Sequence, residues 1–195
     1  MIANQGFLGE TVRSVVVLVL MMLVLGLAYP LLMTGLGQVV FPKQVAGSLV
    51  YDSKGNVTGS ILIGQAVTAA GDFWGRPSAS GYSPLGSAGS NLGPTNPQLL
   101  KNIQAEITLL QKADPLQKDP VPVDLVTASG SGLDPDISVA AAEYQAHRVA
   151  VARHLSLTVV ENLIADNIHP RVFGVWGEPY VNVMQLNQAL DQVAS

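Results

Sequence analysis

The sequence has 195 residues, enough for one membrane anchor and one modest folded domain, and too few for two large domains. Apolar residues make up 48% and charged residues only 12%, about half the usual charged share of a soluble chain, which points to a membrane protein. A net charge of −4 with no basic stripe excludes a nucleic-acid partner, and the lack of cysteine excludes disulfides, thiolate metal sites, cysteine nucleophiles and a lipidated N-terminal cysteine.

From residue 14 to residue 42 nothing is charged, and the stretch begins Val15-Val-Val-Leu-Val-Leu-Met-Met-Leu-Val-Leu25. A helix rising roughly 1.5 Å per residue crosses ~30 Å of hydrocarbon in about 20 residues, so residues 12 to about 33 suffice. Pro30 sits late in this span, where its missing amide donor is expected to kink or end the helix. The competing reading is a cleaved secretory signal, with Arg13 as its positive flank and Gly26-Leu-Ala28 as a loose cleavage site. Against it, the apolar stretch continues through Leu31, Leu32, Met33 and Leu36, beyond a signal core of about 7–15 residues. We therefore expect a short N-terminus over residues 1–11, a transmembrane helix over 12–36 and a single α+β domain over 37–195. No charge inside the span marks an ion path, while Gly26, Ala28, Gly35 and Gly37 suit either close helix packing or lipid. Arg13 and the α-amine against Glu10 on one flank, and Lys43 on the other, nearly balance, so flanking charge leaves the orientation open.

In the domain, strand formers over residues 46–51 and 57–65 flank the turn Asp52-Ser-Lys-Gly-Asn56, which predicts a hairpin. Residues 69–97 carry six glycines and four prolines, yet also Phe73, Trp74, Tyr82, Leu85 and Leu92, and so read as an ordered loop packed on an apolar surface. Within it Arg76 is the expected polar fixing point, because a guanidinium holds several carbonyls or a carboxylate at once. Asn96-Pro97 opens a helix to about residue 112, with Leu100, Ile103, Ile107 and Leu110 on one face, and Asp114-Pro115 ends it. A short strand is expected over 122–127, then a flexible connector at Ala128-Ser-Gly-Ser-Gly132. Asp134-Pro135 then opens a long helix that buries Ile137, Ala140, Ala141, Tyr144, Val151 and Leu155. Thr158-Val-Val-Glu161 fits a capping box for a further helix burying Val160, Leu163 and Ile164. A strand over 180–184 and a helix over 186–193 complete the chain. Strands and helices mix without regular alternation, which is the pattern of an α+β fold.

The chemistry-bearing residues do not converge. Gly130-Ser131-Gly132 fails the nucleophile-elbow pattern because Ser129 stands where glycine is required. Glu143, His147 and His154 share a helix face but lack a fourth ligand and an H-E-x-x-H motif, so a solvated face is the simpler reading. Neither a phosphate-binding G-x-x-x-x-G-K-[ST] nor the aspartyl-phosphate motif D-K-T-G occurs, so no ATP hydrolysis is expected of this chain.

Three stretches carry a resemblance. They are Phe73-Trp-Gly-Arg-Pro-Ser-Ala79 continuing through Tyr82-Ser-Pro-Leu85 to Gly89-Ser-Asn-Leu-Gly-Pro-Thr-Asn-Pro97; Asp124-Leu-Val-Thr-Ala-Ser-Gly-Ser-Gly-Leu-Asp-Pro135; and Gly177-Glu-Pro-Tyr-Val-Asn-Val183. With the anchor they make the chain resemble the C chain of the Kdp potassium-transporting ATPase, a family with one N-terminal membrane helix and one following domain. Asp136 stands where histidine is common in that family, and Tyr180 where arginine is expected.

The resemblance implies a single-pass protein of the bacterial inner membrane, with a cytoplasmic N-terminus and an extracytoplasmic domain. It implies a non-catalytic subunit that stabilises its complex and raises the ATP affinity of the catalytic chain. The implied partners are a potassium-channel-like subunit, a P-type catalytic subunit, a small single-helix subunit and the lipid bilayer. ATP and potassium would be handled by those partners, with no cofactor bound here and no catalytic or metal residues. Phe73, Trp74, Arg76, Tyr82 and Asn91 are the candidate partner-contact or loop-fixing residues. An anchored hydrolase of envelope components and a solute-sensing domain are the alternatives. The first would need convergent catalytic groups, and the second more cytoplasmic mass than the residues before the span provide.

Overall fold

The computed structural model describes residues 3–51 and 54–193. They divide after Ser48 into two compact units. In the first, α1 (Ala3–Leu23), a π-turn (Val24–Ala28) and α2 (Tyr29–Val40) run on as one helix. Its stretch Gly6–Val40, 35 residues with none of the apolar window buried, is long and apolar enough to cross a membrane. Pro30 does not end this helix. It has no N–H to offer the carbonyl of Gly26, and the chain widens just before it, with the Tyr29 N–H donating to Val24 O five residues back. The wide turn absorbs the missing donor. Helical backbone therefore extends past both ends of the expected 12–36 span. The helix stops at Phe41, which leaves the helical region and donates to Gly37 O, and a short α3 (Pro42–Val45) follows.

The second unit opens with the expected hairpin, β1 (Leu49–Tyr51) against β2 (Val57–Ser60), in the register Leu49↔Ser60 and Val50↔Gly59. Both strands are shorter than expected. Gly47 and Ser48, at φ +85° and +50°, turn the chain just before β1, and Ile63 N–H folds back onto Ser60 O after β2. The turn residues Asp52 and Ser53 lie outside the described residues. α4 (Pro97–Ala113) forms as its signals dictate: Asn96 Oδ1 accepts from the Gln98 N–H at 2.9 Å, and Pro97 opens the first turn. Leu110 is buried and Ile103 and Ile107 pack on the core, but Leu100 is 64% exposed.

The next region departs from expectation. Residues 123–125 form a 3₁₀ turn instead of a strand, and Leu125 and Val126 are nevertheless buried. Pro120 and Pro122 lack ladder donors, and Asp124 is engaged elsewhere, its carboxylate accepting from Ser138 N–H at 2.7 Å and Ser138 Oγ at 3.1 Å. The long helix does not begin at Pro135. Asp134 Oδ1 accepts from the Asp136 N–H at 3.1 Å, closing a turn rather than capping a helix, and β3 (Asp136–Ser138) follows. Ser138 is the actual cap of α5 (Val139–Arg153), its Oγ accepting from Ala141 N–H at 3.0 Å. α6 (Leu157–Asp166) is capped by Ser156, so the box starting at Thr158 is not used.

β4 (Ile168–His169), which has no sequence pattern of its own, and β5 (Tyr180–Asn182) complete an antiparallel sheet of order β3-β5-β4. Val181 at its centre pairs with Ile137 on one side and Ile168 on the other and is wholly buried. α7 (Val183–Val193) leaves β5 directly and buries Leu186 and Leu190. α5 packs on most of its circumference. Its alanines 141, 142, 146 and 150 are buried with Tyr144 and Val149, while Ala140, Glu143, Val151 and Ala152 are exposed, so that Ala140 and Val151 fall outside the burial expected of them. Small side chains let neighbours approach from several directions, so this helix shows no single apolar stripe.

Ser138→Ala should remove the α5 cap and one of the two donors that Ser138 gives Asp124, the backbone N–H remaining, lowering stability by about 1–2 kcal/mol. Ser156→Ala, a more exposed cap, should cost less; urea denaturation of both variants followed by tryptophan emission makes the comparison.

Candidate functional site

No helix or strand is described between β2 and α4, and this segment carries the aromatic loop. Phe73 is wholly buried in the core and Trp74 packs against it. Their backbone is held by two side-chain amides from helices far along the chain. Phe73 N–H donates to Asn187 Oδ1 at 2.7 Å, and Asn187 Nδ2 returns a bond to Phe73 O at 3.0 Å. Trp74 N–H donates to Gln145 Oε1 at 2.8 Å, and Gln145 Nε2 donates to Trp74 O at 3.1 Å. Each amide pairs with one residue's donor and acceptor as a neighbouring strand would.

Two arginines hold the residues just before. Arg148, buried on α5, donates to Ala70 O, to Asp72 O at 3.0 Å and to Gln145 Oε1 at 2.8 Å, with its guanidinium carbon 4.1 Å from the Trp74 ring centroid. Burial pushes Arg148 down to about 10, with Asp114 and Asp72 pulling the other way, so it stays charged at neutral pH. Arg153 Nε donates to Gly71 O at 2.8 Å, and its guanidinium pairs with Asp72 and with Asp191, the latter at 2.8 Å.

The rest of the loop is tied to residues 129–134. Arg76 Nη1 pairs with Asp134 Oδ2 at 3.0 Å, and the Tyr82 hydroxyl donates to Arg76 O. Burial pushes the Tyr82 phenol up, helped by the Asp134 charge. Ser78 Oγ donates to Gly132 O at 2.6 Å, Ser87 Oγ donates to Ser131 O at 2.9 Å, and Ser129 N–H reaches Pro77 O at 3.3 Å. The expected flexible connector is thus stapled, with Ser129 buried and its Oγ accepting from Gly132 N–H at 2.9 Å. Gly132 is needed there: at φ +68° a Cβ would meet Ser80 Oγ and lie 2.6 Å from Ala88 O.

The structure brings Phe73, Trp74, Arg76 and Tyr82 together. Asn91 stands apart, exposed at φ +52°, with its Nδ2 donating to Gly89 O at 3.3 Å. Leu85 is 98% exposed and supplies none of the burial expected of it. Trp74, Arg76, Tyr82, Glu106 and Leu109 line a groove of about 280 Å³ beside Leu110 and Leu125, and Arg76 Nε is buried there with no partner. Burial also pushes the Glu106 carboxyl up.

Sequence reasoning missed Gln145, Arg148, Arg153 and Asn187. For the first two the sequence offers no signal that separates them from Glu143 and His147, other polar residues of the same helix. His147 is also more engaged than a solvated face implies: its Nδ1 lies 2.7 Å from Oδ2 of buried Asp114, whereas His154 is the left-handed residue closing α5. Among the described residues no three His, Asp or Glu side chains come together as a metal site.

The model of the family described as K+-transporting ATPase, c chain, matches residues 11–192. The chain belongs to that family. It is 54% identical over 181 residues to the "Potassium-transporting ATPase KdpC subunit" of Methylococcus capsulatus, covering 91% of this chain and 95% of that protein. With the protein of the same name from Methylibium petroleiphilum it shares 55% over 181 residues, covering 91% and 94% of the two chains. The corresponding Burkholderia ambifaria protein is 54% identical over 180 residues, 91% and 93% of the two. In this member of the family the loop's order therefore comes from helix-borne polar side chains.

Arg148→Met should strand the Ala70 and Asp72 carbonyls and cost about 3 kcal/mol or more, against roughly 1 kcal/mol for Arg76→Met at its part-exposed ion pair. Denaturation midpoints and a red shift of Trp74 emission would report both. Glu106→Gln tests the raised carboxyl. Well below the ordinary glutamate value, near pH 3, both folded and unfolded chains carry a neutral residue 106 and the two proteins should melt together. As pH rises through the raised folded value, ionisation penalises only the native glutamate, so the variant should melt higher at pH 7.

Proposed function

We propose that this chain is the non-catalytic C subunit of an ATP-driven potassium-uptake complex of the bacterial inner membrane. The observation that carries the reading is the extent of the family match, residues 11–192, which takes in most of the apolar helix and nearly all of the domain. The partners in this reading are a potassium-channel-like subunit, a P-type catalytic subunit and a small single-helix subunit. The helix holds the subunit in the bilayer with its N-terminus cytoplasmic, and the domain lies on the extracytoplasmic side. Any increase in ATP affinity of the catalytic subunit then travels through the membrane subunits, since a domain on that side cannot touch ATP. The chemistry of the domain supports a supporting role, because Arg148 and Arg153 spend their donors on loop carbonyls and carboxylates. Phe73 and Trp74 fix the loop from inside, and we assign Arg76, Tyr82 and Asn91 to its partner side.

Topology and assembly are separately testable. The chain has no cysteine, and Leu116 is 75% exposed, so Leu116→Cys gives a single surface thiol. It should react with a membrane-impermeant reagent in cells whose outer membrane alone is permeabilised; reaction only after inner-membrane lysis would reverse the orientation. In mild detergent the wild-type chain should co-elute with the three partner subunits, and Arg148→Met should reduce that yield severalfold while remaining membrane-inserted. Full yield from a variant whose loop has demonstrably loosened would mean that the ordered loop is not needed for assembly.

A further inference from the structure

β4 and β5 are neighbours in the sheet, with His169 opposite Tyr180, so residues 170–179 extend from its edge as a hairpin. Its apex reads Val172-Phe-Gly-Val-Trp176, and there the usual rule for a water-facing turn is reversed. Val172 is 59% exposed, Phe173 89%, Val175 73% and Trp176 72%. The hydrophobic core of the same domain takes in none of them.

The apex is also rigid. Val172 N–H donates to Trp176 O at 2.8 Å and Trp176 N–H donates to Val172 O at 3.0 Å, while Gly174 N–H reaches Arg171 O at 3.0 Å. Phe173 adopts φ +54°, a region costly for a bulky side chain, with Gly174 and Gly177 also at positive φ. Below the apex the side chains turn polar. Arg171 pairs with Glu178, and the His169 and Tyr180 rings stack with centroids 4.9 Å apart. The result is a stiff apolar tip on a charged and aromatic collar.

Two kinds of partner fit exposed apolar surface, and the dimensions separate them. Four side chains at one narrow turn fall well short of the roughly 800 Å² per partner of a stable protein interface. Two strand residues of rise, about 7 Å, match the depth to which apolar groups sink at the boundary between lipid headgroups and acyl chains, about 5–10 Å. Tryptophan is the residue most at home at that depth, and a charged pair belongs just above it. Only residues 41–48 separate the membrane-crossing helix from the domain, so the domain cannot diffuse away from the bilayer. A tip too weak to hold a free protein on a vesicle is sufficient for a tethered one.

We propose that Val172, Phe173, Val175 and Trp176 form a wedge that inserts into the surface of the bilayer in which this chain is anchored. The wedge rests on the reading of Gly6–Val40 as a membrane anchor, and its test separates the two. The full chain carrying Val175→Cys with a nitroxide label is reconstituted alone into phosphatidylcholine vesicles. Lys112→Cys, at an exposed position on α4, serves as the control. Flotation with the vesicles checks the anchor first, and a chain that fails to float removes both anchor and wedge. In a chain that floats, the label at 175 should be several-fold more accessible to oxygen than to a water-soluble nickel complex, with the order reversed at 112. Tryptophan emission should be quenched by bromine-labelled phosphatidylcholine, and Trp176→Phe should abolish that quenching because Trp74 lies inside the loop. Equal nickel accessibility at 175 and 112 in floating chains overturns the wedge while leaving the anchor standing. Shielding of position 175 from both reagents only once the partner subunits are added also overturns it, since the tip would then seat in protein.

Discussion

A guanidinium taken out of water must have its donors satisfied, and an irregular backbone taken out of water must have its carbonyls satisfied. Arg148 meets both requirements with one set of bonds. Its charge is held by Ala70 O, Asp72 O, Gln145 and the Trp74 ring, and the same contacts supply donors to a stretch of chain that has no ladder partner. Lysine would not substitute, because a single ammonium cannot fork across two carbonyls and also lie flat against an indole. α5 and the loop are thus interdependent: the helix without the loop leaves a buried cation bare, and the loop without the helix leaves its carbonyls bare. Asn187 extends the dependence to α7, and Arg153 links it through Asp191 to the same helix. The loop is closer to a missing strand, rebuilt from side chains, than to a linker.

That arrangement explains which parts of the fold were legible in the sequence. α4 and the β1–β2 hairpin announce themselves through caps, prolines and turn residues within a few positions, and both form near the expected place, as does α7. Phe73 and Trp74 correctly signalled order in a glycine- and proline-rich stretch. The groups that impose the order are 71 to 114 residues away along the chain, and pairing at that range leaves no periodic trace. The errors cluster where one local motif has two uses. Asp134-Pro135 reads as a helix start, but Asp134 closes a turn onto Asp136 and pairs with Arg76, and the cap falls to Ser138. Leu85 looked like loop ballast and is solvent-facing, whereas the apolar residues around Phe173 gave no sign that they would stand outside the core.

The helix before the domain shows the same principle in a different solvent. An apolar segment in hydrocarbon must satisfy every backbone group internally, so a proline late in it has to be accommodated within the helix. The π-turn Val24–Ala28 does this by shifting one bond to a five-residue span, which keeps Tyr29 N–H paired and lets the helix run on to Val40. From Val15 to Ala28 no side chain carries a hydroxyl, amide or charge to bond across to another helix, so contact there depends on shape, and Gly26 and Ala28 are positions where another backbone can come close.

Asp136 and Tyr180, where the resemblance led us to expect histidine and arginine, sit on one strand pair. Asp136 is opposite Asn182, which donates to its Oδ1 at 2.8 Å, and Tyr180 is opposite Ser138 on the same ladder. Burial pushes the Asp136 carboxyl up, while the hydrogen bond from Asn182 and the proximity of His169 pull it back. An arginine in place of Tyr180 would bring a cation to a site where this chain instead stacks a phenol ring on His169. Tyr180 stacks on His169 at the root of the hairpin that carries Phe173 and Trp176, where the collar of the exposed tip is built, and Asp136 stands two ladder positions further from that tip, opposite Asn182.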